Sequence, residues 1–499
     1  MGSLDGYRRL TSPMVFSSHL FIFYFLALVL VLYYGIPWRR FRAGMLALVS
    51  YVFYGWANPP WALIMFASTI IDYFCGLTLL RLSGLQRKPD GRWPCIPPTT
   101  PRTRQMRGIV VASIAANLAL LAFFKYYNFT EENLNRVAMA FGGTQWLPIL
   151  QVVLPVGISF YTFKSMSYCI DVYRGDAPPM SNFIDFNCFE ALFPDLVAGP
   201  IIRYGAIELQ LHHRKHTAAK FARGVALFSL GLAKKILIAN PLGYVADATF
   251  GAAARHALDA WTGLLAYSFQ IYFDFSGYSD MAVGLGLMFG FLFIRNFDAP
   301  YRAQSITDFW RRWHISLSSW LRDYLYIPLG GNRHGPARTY FNLFVVMLLG
   351  GFWHGASWTF LAWGAIHGVM LAVERAAGKQ SLYRSLGRTP RVMITFLIVS
   401  LAWVFFRAET LPDAVAYLGS LLGLGPQTSG MDLLPGVIFR PYYLFTLVMA
   451  ATLVWTAPQV WTFTERLTPT RAGWCMACLV ISILLMWTQT ENPFLYFQF

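Results

Sequence analysis

Apolar stretches, most of them about 15 to 25 residues and so long enough to cross or nearly cross a bilayer, recur along the whole chain. They fall near 15–36, 43–57, 60–80, 108–126, 147–168, 260–293, 340–350, 356–376, 392–407, 441–458 and 473–489. Such a pattern leaves few folds open, because backbone placed in lipid must satisfy its own hydrogen bonds and so becomes helical or closes into a barrel. Runs this long and continuously apolar select helices. Charge is correspondingly scarce: 13% of the 499 residues are Asp, Glu, Lys or Arg and 56% are hydrophobic, whereas a soluble domain carries about 25% charge. The expected fold is an all-α integral membrane protein with roughly a dozen transmembrane and re-entrant helices. Without repeats or a separate soluble region, residues 1–499 read as a single polytopic membrane domain.

The formal net charge of +16 would suggest nucleic acid in a soluble chain. Here the cations gather in short joints between apolar runs, so membrane lipid is the expected partner and nucleic acid is not. Arg39, Arg40 and Arg42 follow the first run, and a basic, proline-rich loop from Arg81 to Arg107 follows the third. The joints after the second and fourth runs are Asn58-Pro59-Pro60 and Glu131-Glu132. The positive-inside bias then places the first and third joints in the cytoplasm and the N-terminus outside, with Arg8 and Arg9 pulling the other way. The first run lacks a small-residue cleavage site and is expected to stay as a span. Of the six cysteines, Cys475 and Cys478 form a lone CxxC inside an apolar run, which assigns neither a metal nor a redox site.

Three segments break the apolar regularity. FEALFPDLVAGPIIRY carries Pro194, Asp195, Gly199 and Pro200, and reads as a re-entrant stretch near a cavity. HHRKHTAAKFARG places His212 and His216 four apart among cations, which fits an amphipathic face on anionic lipid better than a metal site. YFDFSGYSDMAVGLGLMFG sets Asp274 and Asp280 in apolar company, where carboxylates pair internally or face a polar cavity. Gly286 and Gly290 in the same run read as a close-packing stripe.

Two histidines dominate the remaining chemistry, because an ionisable ring at membrane depth is costly unless used. Ser305 to Asp308 has the pattern of a helix start, so a helix is expected from Phe309 onward, with Trp310, Trp313, His314, Leu317 and Leu321 on one face and Arg311, Ser318 and Arg322 along its edge. His354, between Gly350-Gly351 and Gly355, is expected at a helix break. His367 lies 13 residues beyond it and should point away on a continuous helix, and His334 reads as a solvated loop residue. A neutral imidazole suits general base catalysis on a hydroxyl. No GxSxG, Walker A or HExxH motif offers another mechanism.

The strings NFDAPYRAQSITDFWRRWHISLSSWLRDYLYIPLGGN and GGFWHGASWTF, with LPVGISFYTF, FPDLVAGPIIR, YFDFSGYSDMAVG and the terminal NPFLYFQF, resemble the membrane-bound O-acyltransferases, in particular their bacterial polysaccharide branch. The resemblance spans about residues 150–499. It implies a helical body around a central funnel or tunnel, with His354 as the catalytic residue and His314 as the second histidine. It also implies an acyl thioester such as acetyl-CoA arriving from the cytoplasm, an inner-membrane location, and periplasmic acetyltransferase partners that pass the group to an exported polysaccharide such as alginate. Lys234, Lys235, Arg311 and Arg322 could meet the donor's phosphates or simply anchor the cytoplasmic face, and Asn296, Asp274 and Asp280 could orient the site. D-alanyl transfer to teichoic acid and a non-enzymatic lipid or saccharide transporter are the competing readings.

Overall fold

The computed structural model describes residues 14–89, 92–378, 381–425, 433–489 and 495. Every regular element among them is helical. Among the described residues, five helices are long and apolar enough to cross a membrane: Pro59–Ser83, Arg104–Ala140, Ala218–Phe250, Arg388–Arg407 and Pro469–Met486. Leu20–Gly35 and Pro441–Thr456 are shorter apolar helices. The chain is a multi-pass, all-α membrane protein. The described residues cluster into two compact units, those within 1–225 with 282–294, and those within 226–281 with 295–499.

In the first unit, buried polar groups hold the apolar helices in register. Asp72, fully buried on Pro59–Ser83, accepts hydrogen bonds from Ser113 Oγ at 2.6 Å and Asn117 Nδ2 at 3.0 Å on the facing helix. Polar contacts of this kind replace the hydrophobic drive that lipid cannot supply. The backbone breaks between Phe183–Ala191 and Phe193–Leu196 while residues 191–202 stay buried. Asp195 meets Lys164 there in a buried ion pair of 2.7 Å.

Four details differ from the sequence reading. Glu131 and Glu132 lie within the Tyr127–Ala140 helix, which prolongs the preceding span through a π-helical turn at Ala122–Tyr126. The apolar run at 147–168 is helical only from Ile158, because Pro155 lacks a donor and Gly157 takes a left-handed turn at φ +79°. Gly290, at φ +85°, lies just past the end of Ala257–Met288 and forms no packing stripe. His212 closes the Tyr204–His212 helix, whereas His216 lies in the non-helical stretch beyond it and meets the Tyr33 hydroxyl at 2.8 Å, so the two share no helix face.

The second unit contains an antiparallel hairpin, Gly335–His354 and Trp358–Ala376. Gly350 and Gly351 do not break its first helix. Gly351 and Gly364 instead bring the two backbones together: a Cβ on Gly364 would lie 2.5 Å from the Met347 carbonyl oxygen. Small residues permit this approach, and it matters here because the first helix ends on His354. Gly364→Leu is expected to force the hairpin apart at a cost of about 1–3 kcal/mol, lowering the thermal midpoint of the detergent-solubilised protein by several degrees. An unchanged midpoint would remove this contact from the account.

Candidate active site

The short helix Ile306–Arg312 starts as its sequence predicts, with the Ser305 hydroxyl accepting from Asp308 N at 3.0 Å. Buried Glu374, near the end of the hairpin, adds a second anchor: its carboxylate accepts from Ile306 N, Thr307 N and Thr307 Oγ1 at 2.6–2.8 Å. A carboxylate there satisfies orphan donors and complements the positive end of the helix.

The continuous helix expected through His314 does not form. Trp313 is extended and His314 is left-handed at φ +44°, after which a new helix runs over Ile315–Leu321. The segment at 296–298 imposes the break. Asn296 O accepts from Ile315 N at 2.9 Å, and Asp298 N donates to Arg312 O at 3.0 Å. The Asn296 Oδ1 accepts from Ser316 N at 3.1 Å and Ser316 Oγ at 2.9 Å, and lies 3.2 Å from His314 Nδ1. Because Ser316 N can only donate, the atom facing it is the amide oxygen, so His314 Nδ1 carries a proton and the neutral ring keeps its lone pair on Nε2. A left-handed non-glycine residue costs about 1–2 kcal/mol and is characteristic of functional sites. His314 is fully buried, with Phe275 edge-on at 4.7 Å.

His354 is the last residue of its helix, and Gly355 after it is extended. The break falls just past the histidine and not at the preceding glycines. Its ring is 6.4 Å from the His314 ring, centroid to centroid, and is enclosed by Trp353, Trp363 and Phe406 at 5.0–5.3 Å. One edge reaches a cavity of about 460 Å³, whose other lining residues include Trp310, Arg311, Ser318, Ser319, Arg322, Tyr326 and Trp363. Arg311 also enters a smaller pocket of about 190 Å³ with Arg375.

The cavity favours proton transfer over a covalent serine route. Ser318 Oγ donates to Trp313 O at 3.2 Å and Ser319 Oγ to Ser316 O at 3.0 Å, so neither hydroxyl is engaged by an imidazole as an activated nucleophile would be. What remains is two imidazoles in an aromatic cage, next to a chamber with a cationic rim.

Residues 176–406, which contain both histidines, match the family model described as MBOAT, the membrane-bound O-acyltransferase family. The probable alginate O-acetylase AlgI of Pseudomonas putida is 43% identical over 505 aligned positions, covering 97% of this chain and 100% of that protein. The chain belongs to the membrane-bound O-acyltransferase family. A peptidoglycan O-acetyltransferase of Helicobacter pylori is 36% identical over 82% of this chain and 80% of its own length. The teichoic acid D-alanyltransferase of Streptococcus thermophilus is 28% identical over 44% of this chain and 57% of its own. Family membership makes the protein an acyltransferase and sets the transporter reading aside.

In this membrane-bound O-acyltransferase the nine residues anticipated from sequence separate into two groups. His354, Arg311 and Arg322 line the cavity, with His314 and Asn296 directly behind it. Arg322 is held by Asp323 in a two-pronged contact of 2.6 and 2.9 Å, which raises its already high pKa and keeps it cationic. Lys234 and Lys235 pair instead with Asp280 and Asp274 at 2.7 and 2.6 Å, and Asp274 also accepts from Leu495 N. Their charges are matched within the protein, and none of the four lines the cavity. His334 is exposed, as expected of a loop residue. His367 does not point away. It lies fully buried against Trp363 and Trp310, both cavity residues, because the chain turns after His354 and the helical angle between them has no meaning. Trp310 was legible only as a face residue, and Trp363 and Glu374 carried no sequence signal.

Asn296→Ala is expected to release the His314 turn and reduce acyl transfer by at least about tenfold, while Asn296→Asp, which keeps the acceptor oxygens, retains more activity than Ala. Equal activity in wild type and Asn296→Ala would show that the turn does not need this clamp.

Proposed function

We propose that the protein moves an acetyl group from a cytoplasmic thioester, acetyl-CoA, to an acceptor hydroxyl at the bacterial inner membrane, for O-acetylation of exported alginate. The observation that carries this reading is the pair of imidazoles beside a cavity with a cationic rim. The 43% identical Pseudomonas relative, described as a probable alginate O-acetylase and matched along its whole length, supports the choice of polymer.

In this reading His354 accepts the proton of the acceptor hydroxyl as its oxygen attacks the thioester carbonyl carbon. A carbon–oxygen bond forms, the tetrahedral oxyanion collapses, the carbon–sulfur bond breaks, and the thiolate leaves with the proton returned by His354. The products are an acetate ester and a free thiol. An imidazole, with an ordinary pKa of about 6.5, performs both transfers near neutral pH. His314, its proton fixed on Nδ1 by Asn296, presents Nε2 as a second acceptor within the same cage. Arg311 and Arg322 meet the donor's phosphates as charge-assisted donors. A periplasmic acetyltransferase then completes transfer to the polymer.

The test is ester-linked acetate released by mild base from exported polymer, in cells lacking their own copy and carrying wild type or a variant at matched membrane levels. His354→Ala is expected to fall to background, and His314→Ala by at least about tenfold, with polymer yield unchanged. Wild-type acetylation in His354→Ala would contradict the assignment. D-alanyl esters in place of acetate would move the protein to the sister reaction.

A further inference from the structure

His367 belongs to no step of that reaction. Its ring is fully buried on Trp358–Ala376 and does not line the cavity. Yet its Nδ1 is 3.3 Å from the indole Nε1 of Trp310, which does line it. An indole nitrogen can only donate, so His367 Nδ1 accepts and the ring carries its one proton on Nε2. That Nε2 finds no hydrogen-bond partner among the described residues. Packing alone would be served as well by a phenyl ring, which leaves no buried donor behind.

Glu374 lies seven residues further along the same helix, two turns away on one face, and holds the start of the helix that carries Trp310. The Trp358–Ala376 helix therefore grips the Ile306–Arg312 helix at two points, its first turn and its Trp310. Immediately after the gripped helix come the left-handed turn and His314. Trp363, one turn before His367, touches His354, His367 and Trp310 with ring centroids 4.9–5.7 Å away.

We propose that His367 is a positioning residue for acyl transfer: by accepting from the Trp310 indole it fixes that ring as the cavity wall beside His354, and so fixes where the acyl end of the donor lies. This rests on the reading of the cavity as the transfer site. Losing the acceptor frees the indole without touching the cationic rim, so the loss falls on turnover more than on donor binding.

The test compares His367→Phe, which keeps a ring without an acceptor, with His367→Asn, whose amide oxygen falls near the place of Nδ1. The indole ¹⁵N–H resonance of Trp310, assigned by its loss in Trp310→Phe, is expected to shift in His367→Phe and stay near its wild-type position in His367→Asn. With acetyl-CoA as the probe donor, an acceptor hydroxyl supplied and released thiol as the readout, kcat should fall at least about tenfold in His367→Phe with KM for the donor within about twofold, and recover substantially in His367→Asn. An unmoved resonance in His367→Phe, or equal turnover in the two variants at matched thermal midpoints, would overturn the proposal. A His354→Ala control that still turns over would instead indict the reading of the site, while the resonance comparison judges the Trp310 contact independently of activity.

Discussion

The site depends on one amide oxygen. Asn296 Oδ1 gathers the Ser316 backbone N–H, the Ser316 hydroxyl and His314 Nδ1, while its own carbonyl takes the Ile315 N–H. Without these partners, residues 306–321 would continue as one helix, as their periodicity invites, and His314 would sit on its side. With them the backbone accepts a left-handed residue, and the imidazole enters the protein interior with its tautomer set. The strain is local and is offset by hydrogen bonds made where no water competes.

The second imidazole arrives by a different route. His354 needs no strain, because it terminates a helix whose position is set by backbone-to-backbone contact at Gly351 and Gly364. The returning helix then supplies Trp363 to the cavity wall and Glu374 to the short helix ahead of His314. One hairpin thus delivers the His354 ring, walls it, and anchors the element bearing His314. In lipid, where apolar burial gives helices little reason to prefer one neighbour to another, close glycine contacts and buried polar anchors of this kind carry the specificity.

Much of this was legible in the residues themselves. The apolar runs announced the membrane fold, Ser305 announced a helix start, and the strings around His314 and His354 announced an acyltransferase. What could not be read was where helices stop. The face predicted for Trp310, Trp313 and His314 assumed an unbroken helix, but the backbone partners that break it lie at 296–298, outside any local pattern. Gly350 and Gly351 looked like breakers because glycine is destabilising within helices; tertiary approach gave them another use. The angle from His354 to His367 points the second ring away only on an unbroken helix, and periodicity does not reveal the turn between them. Lys234 and Lys235 looked available for phosphate because charge can be counted from sequence, whereas pairing with Asp280 and Asp274 depends on the facing helix.

On the proposed route the acetyl group passes directly to the acceptor hydroxyl and never rests on the enzyme. This is tested most directly by the intact mass of the purified protein after incubation with acetyl-CoA, first without and then with an acceptor hydroxyl. Direct transfer leaves the mass unchanged in both cases, with thiol released only once the acceptor is added. A mass increase of one acetyl group before the acceptor is added, lost when it arrives, would contradict it and make a cavity side chain the nucleophile.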